Sequence, residues 1–186
     1  MSGGHGHVDH HSNKGIALLI SVLALVLALS ETLGKSHQVA GLAAHIEASN
    51  LWSFFQAKTI RQTTMRTAAE AVQAQFGDNA PDALKKQIDT WKKTADRYQS
   101  EPETGEGREQ LAARAKAAEK KRETLTAAYH NYEAASAAVQ IAIVIASASI
   151  ITGIAALVWV SIGFGAIAIV FCVIGFFSPT ALHLFG

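Results

Sequence analysis

Residues 134–177 read AASAAVQIAIVIASASIITGIAALVWVSIGFGAIAIVFCVIGFF, and from 134 to 182 no Asp, Glu, Lys, Arg or His occurs. A helix rises about 1.5 Å per residue and crosses a hydrocarbon core of roughly 30 Å with about 20 apolar residues, so this run is long enough for two spans. Ser161, Gly163 and Gly165, beside Trp159, form the punctuation near its middle and predict a tight turn there. One span is then expected over 139–160, with Trp159 at an interface, and a return span over 162–178, stopped by Ser178 and Pro179 and followed by an interfacial tail over 179–186. Small residues four apart, Ala142 with Ala146, Ser149 with Gly153 and Ala168 with Cys172, would let helices approach closely.

Toward the amino terminus, residues 15–29 are apolar apart from Ser21. The flanking ammonium groups, Lys14 and Lys35, are separated by about 31 Å of helix, which predicts a first span over 15–35. Glu31 lies four residues before Lys35 in the favourable acid-then-base order, so an interfacial ion pair is expected; an ionisable group at that depth also allows a transport role. Ala28 and Ser30 would suit a signal peptidase, but the apolar run is at the long end for a cleaved leader, and a retained anchor is expected.

Hydrophobic residues make up 49 % of the chain and charged residues 17 %, and the two are segregated: apart from Asp9 and Lys14, every Asp, Glu, Lys and Arg lies from 31 to 133. The formal net charge is +1, and no basic run is longer than Lys120, Lys121 and Arg122, so nucleic acid is not an expected partner. Cys172 is the only cysteine, which leaves no disulfide framework within one chain.

Between the spans, residues 36–138 are rich in Ala, Gln, Glu, Lys and Arg, with interruptions at 77–81 and 100–107 that divide the segment into three helices. The middle helix carries Leu84, Ile88, Trp91, Ala95 and Tyr98 at alternating spacings of four and three. The last repeats the pattern through Leu111, Ala115, Ala118, Arg122, Leu125, Tyr129 and Tyr132 and continues unbroken into the apolar run. The fold class is therefore an all-α membrane protein: three transmembrane helices, with a long-helix, coiled-coil-like aqueous domain inserted between the first and second. Gly105 and Gly107 mark an exposed loop rather than a phosphate cradle, since no Lys-Ser or Lys-Thr follows a spaced glycine pair.

A tail over 1–14, expected to be flexible, holds His5, His7, His10 and His11 with Asp9, a composition that binds transition metals, but solvating histidines are the more common explanation of such a tract. His45 and Glu47 are two residues apart and do not share a helical face, so a metal site with His37 is not expected.

The strings ALSETLGK (28–35) and IEASNLWSFFQAKTIRQT (46–63) resemble the bacterial membrane proteins grouped as domain of unknown function 4337, with 50–61 as the most specific motif. The resemblance covers essentially the whole chain, including the His-rich start and the terminal apolar hairpin. It implies a bacterial inner-membrane location and supplies no activity or catalytic residue.

No Ser-His-Asp, Cys-His, paired-carboxylate or metal-ligand set falls on a shared face, so neither catalysis nor a cofactor is expected. The expected function is a non-enzymatic membrane scaffold or assembly protein, with lipids, further copies of itself and a larger membrane complex as partners. An ion-conducting or energy-coupling subunit with the topology of the TolQ and ExbB type is the alternative, though Glu31 is the only acidic group within or beside a span. All Lys and Arg except Lys14 lie between 35 and 122, which predicts a cytoplasmic helical domain.

Two apolar stripes run along the first aqueous helix on nearly opposite faces: Val39, Leu42, Ile46 and Ile60 on one, and Leu51, Phe54 and Phe55 on the other. One neighbour cannot cover both. With the returning helix on the first stripe, Leu51, Phe54 and Phe55 are expected to form the interface of a homo-oligomer.

Overall fold

The computed structural model describes residues 10–181, and among these every regular element is helical. Helix α1 spans His10–Phe76, a 3-10 turn follows at Gly77–Asn79, α2 spans Asp82–Gln99, α3 spans Arg108–Thr152 and α4 spans Ala155–Phe177. Helices α1, α3 and α4 are each long and apolar enough to cross a membrane. The chain divides into two compact units, one from Met1–Gly41 with Glu123–Gly186 and the other from Leu42–Arg122; they are called unit 1 and unit 2 below.

In unit 1 the core is built from small residues. Ala135, Ala138, Val139 and Ala142 of α3 meet Leu23 of α1 and Ala168 of α4, with Leu27, Phe164 and Phe171 packed around them. Close approach explains the choice of alanine and glycine: a Cβ added at Gly165 would lie 2.9 Å from the Leu23 side chain. Three buried hydroxyls tie the helices. Ser30 and Ser136 share a hydrogen bond of 2.9 Å, and Ser161 donates to the Ala142 carbonyl at 2.8 Å.

The turn in the apolar run lies at Gly153 and Ile154, not at Ser161. Gly153 adopts a φ of +70°, a left-handed conformation that closes α3, and its N–H bonds back to the Ser149 carbonyl at 2.9 Å. The Ser149 hydroxyl reaches forward to the Ile154 carbonyl at 3.1 Å. Ser149 and Gly153, expected as a helix-packing pair, thus make the turn. Ser161 and Gly165 are buried inside α4 instead, and Gly163 faces open space. Moving the turn gives α4 23 residues, or about 35 Å, enough for a full hydrocarbon core.

Unit 2 packs three helical segments. Buried positions along α1 recur at spacings of four and three: Ala44, Ala48, Leu51, Lys58, Gln62 and Ala69, with Phe55 and Met65 half-buried between them. Ala48 and Leu51 pack against Leu111, Ala115 and Ala118 of α3. Leu111 is fully buried, which contributes roughly 1.5–3 kcal/mol relative to exposure. Helix α2 begins at Asp82 after Pro81, whose carbonyl accepts from the N–H groups of Leu84 and Lys85, and its acid-first, Arg97-last order suits the helix dipole. Its inward positions are Leu84, Ile88, Trp91, Ala95 and Tyr98, half-buried to buried.

Candidate functional site

The structure reverses the expected roles of the two stripes on α1. Leu51 is buried, and Trp52, Phe54 and Phe55 pack around the cluster it forms with Leu111, Ala115 and Ala118. The physical reason is fit: α3 offers two alanines beside Leu111, and aromatic bulk fills the space above small residues. Trp52 also donates to Glu119 Oε1 at 2.9 Å. The exposed stripe is the other one, Val39, Leu42, Ile46 and Ile60. Leu51, Phe54 and Phe55 therefore belong to the core of unit 2 rather than to a bare oligomer interface.

Below this cluster the same face of α1 turns polar, a feature the sequence reading missed. The buried Lys58 ammonium lies 5.3 Å from the centres of both the Phe54 and Tyr98 rings and 3.8 and 3.6 Å from carboxylate oxygens of Glu101 and Glu106. Arg108 lies over the Phe55 ring, donates from Nε to Thr59 at 2.9 Å, and from one terminal nitrogen to Gln62 and Gln99. Buried Gln62 in turn donates to the Ala95 carbonyl and to Gln99, each at 3.1 Å. The segment at 100–107 is consequently fastened, not free: Gly107 is buried, and Glu101 N–H donates to Gln110 Oε1 at 3.1 Å. The signal was present in the spacing, since Lys58 and Gln62 continue the four-and-three series from Leu51 and Phe55.

At the edge of this network Gln99 donates to Glu109 Oε1 at 3.0 Å. Hydrogen bonds from Gln99 and then Ser100 hold the Glu109 carboxyl below the usual carboxylate range, against a small opposing effect of burial. A depressed folded-state value stabilises the fold above the unfolded-state value, and that contribution is lost as pH falls through the lowered one. An NMR titration is expected to place the Glu109 midpoint below that of an unstructured glutamate, and Glu109→Gln to flatten this part of the acid dependence. A midpoint at or above the ordinary value would contradict the assigned bonds.

In unit 1 a cavity of about 190 Å³ is lined by Ser30, Glu31, Lys35, Tyr129, Tyr132 and Glu133, among others. Glu31 and Lys35 do not form the expected ion pair. Glu31 accepts from Gln140 Nε2 at 3.3 Å across to α3, while Lys35 stays exposed on the cavity rim. Glu133 accepts from Tyr129 and faces His130 Nδ1, each at 3.3 Å. Burial, and then the Glu133 charge, push the Tyr129 phenol above its usual range. Asn131 is buried and donates to the carbonyls of Ala127 and Pro179, fastening the end of α4 to α3. The His37 Nδ1–H donates to the Leu33 carbonyl at 2.8 Å, and the ring centre lies 5.3 Å from that of Tyr132. Glu31 with Gln140 and Asn131 with Pro179 join separate elements, whereas the bonds of Tyr129 and His130 to Glu133 and of His37 to Leu33 stay within one helix.

His5 and His7 lie outside the described residues, and His10 and His11 open α1. Among the described residues, no group of three or more His, Cys, Asp or Glu side chains is placed to hold a metal ion.

The family model for a domain of unknown function (DUF4337) matches residues 12–178. The chain belongs to that family. The DUF4337 match takes in all four helices, and so both the unit 2 network and the cavity of unit 1 fall within it. No curated protein and no solved structure matches the chain.

Proposed function

We propose that this protein is a non-enzymatic scaffold of the bacterial inner membrane that crosses the bilayer three times and assembles with further copies of itself. The observation that carries this reading is the face of α1 in unit 2 on which Leu42, Ile46 and Ile60 stand 60, 52 and 67 % exposed. On α1, unit 2 turns Trp52, Phe54 and Phe55 and several polar side chains inward, onto α2 and α3, yet keeps large aliphatic groups on this outer face. Leaving them in water forgoes roughly 1.5–3 kcal/mol for each that a protein neighbour would fully cover. The apolar lengths of α1, α3 and α4 support the anchoring, and lipid is the natural solvent for Leu18, Val22, Leu25 and Leu29, all exposed in unit 1. The concentration of Lys and Arg between 35 and 122 supports a cytoplasmic unit 2, with the Gly153 turn on the periplasmic side.

Stepwise photobleaching of labelled protein, diluted into vesicles at low density, tests the reading. Spots that bleach in two or more steps are expected. Single-step bleaching throughout, with labelling near completion, overturns self-assembly.

A further inference from the structure

We propose that the outer face of α1 in unit 2 is a parallel, in-register seam for a second copy of this chain, centred on Asn50 against Asn50 of the second copy. The inference rests on the membrane-anchored, self-assembling reading above and names its interface.

The outer face has its own periodicity. Starting at Ala43 and stepping three and then four residues, the chain passes through Ile46, Asn50, Ser53, Ala57 and Ile60 and runs on to Ala74, and every position in this register is exposed. None is charged: Glu47, Lys58, Arg61, Arg66 and Glu70 all fall in other registers. Counted back along the same helix, the register meets no charge before Val22. At about 100° per residue this face lies nearly opposite the one that packs on α3. Strict three-and-four spacing over several turns keeps a helix face against a second long helix; a lipid headgroup or an ion would need no such repeat. Ala43, Ser53 and Ala57 allow a close approach of axes, with Ile46 and Ile60 as the larger knobs.

Three observations select a second copy as the occupant. Every copy enters the membrane by the same end of α1, so two copies in one bilayer run parallel and level. Level helices set Asn50 opposite itself, and an amide, being donor and acceptor at once, satisfies its own twin; a single Asn in an otherwise uncharged seam is a register device. Flanking positions are compatible as well. Residues five apart that meet across a parallel seam are Leu42 with Glu47, Ser49 with Phe54, Gln56 with Arg61, Thr63 with Ala68 and Glu70 with Gln75, so no like charges meet.

The size of the strip says where pairing occurs. The face from 43 to 74 is about 46 Å long and about 10 Å wide, on the order of 500 Å² per copy, short of the roughly 800 Å² of a standard stable interface. Confinement of both copies to one membrane supplies the missing effective concentration.

Single cysteines at Ile46, Asn50 or Ala57, on a Cys172→Ser background, are oxidised in native membranes. Each is expected to give a disulfide-linked dimer at least tenfold above the background of Lys116→Cys, an exposed position on α3. Coexpressed Asn50→Cys and Ile60→Cys chains, tagged differently, are expected to give no mixed dimer. Adding Ile46→Lys should reduce crosslinking at Ala57→Cys about tenfold while leaving helix content and melting temperature unchanged. Crosslinking no better than Lys116→Cys, mixed dimers, or a photoreactive group at Asn50 that captures a different polypeptide would each overturn the seam. Multi-step bleaching without these crosslinks removes the seam and leaves self-assembly standing, whereas single-step bleaching removes both.

Discussion

Tyr132→Ala is expected to lower the stability of unit 1 by about 3–5 kcal/mol, the range for deleting a fully buried aromatic side chain. Tyr132 is 1 % exposed and stands between two glycines. A Cβ at Gly34 would lie 3.3 Å from its Cβ, and a Cβ at Gly175 would lie 3.4 Å from ring atoms at its far end. The ring fills the space that both glycines leave open, so truncation creates a cavity that the surrounding helix backbone closes only in part. Tyr132→Phe separates packing from polarity. The hydroxyl has no hydrogen-bond partner among the described residues, so the phenylalanine variant is expected to melt at the parental temperature or above it. Thermal unfolding of the three proteins in the same lipid or detergent checks the pair. A loss exceeding about 1 kcal/mol in Tyr132→Phe would reveal a bond to the hydroxyl, and a minor loss in Tyr132→Ala would contradict the packing.

The second large effect is expected at Gly107→Ala, with a loss of about 1–3 kcal/mol or more in unit 2. The added Cβ would fall well inside contact distance of the Glu101 backbone nitrogen and of Gln110 Oε1, and 2.8 Å from Ser100 Cα. The glutamine can move. Two of the three obstacles are backbone, however, in the segment that carries Glu101 to Lys58, so relief requires 100–101 to shift and the Lys58 contacts to stretch. Denaturant unfolding of the intact protein should show the lower stability, with hydrogen exchange raised first at Glu101, whose N–H bonds to Gln110. Gly105→Ala is a useful contrast: no atom lies within 4 Å of the added Cβ, and only the φ of +69° opposes it.

Much of this architecture was legible because side-chain period survives packing. The inward positions of α2 and α3 are those whose spacing alternates between four and three. Which of the two α1 stripes faces inward was not legible. Aliphatic and aromatic stripes have similar claims to burial, and Lys58 and Gln62 on the aromatic side argued for solvent. Their burial becomes tolerable only when, beside the neighbouring Phe54 ring, the Tyr98 ring, two carboxylates and Arg108 converge on them from distant parts of the sequence. The apolar turn was misplaced for a related reason. Within apolar helices Ser and Gly serve close packing, as Ser161 and Gly165 do here, so a cluster of them is weak evidence for a turn. The deciding property of Gly153 is its positive φ, and composition does not encode it. At the cavity, Glu31 and Lys35 have the spacing of a helix-surface pair, but Gln140 stands closer in space from another helix.

The turn at Gly153 also orders events during folding. Its hairpin is sealed by Ser161 bonding to a carbonyl 19 residues away, whereas α1 is held by Ser30 to Ser136 across 106 residues. Loop closure grows costlier with the logarithm of length, by about 1.5 kcal/mol between these two separations. The α3–α4 hairpin can therefore close as soon as both of its helices exist, while the Ser30–Ser136 contact, although α1 is synthesised first, has the longer loop to close.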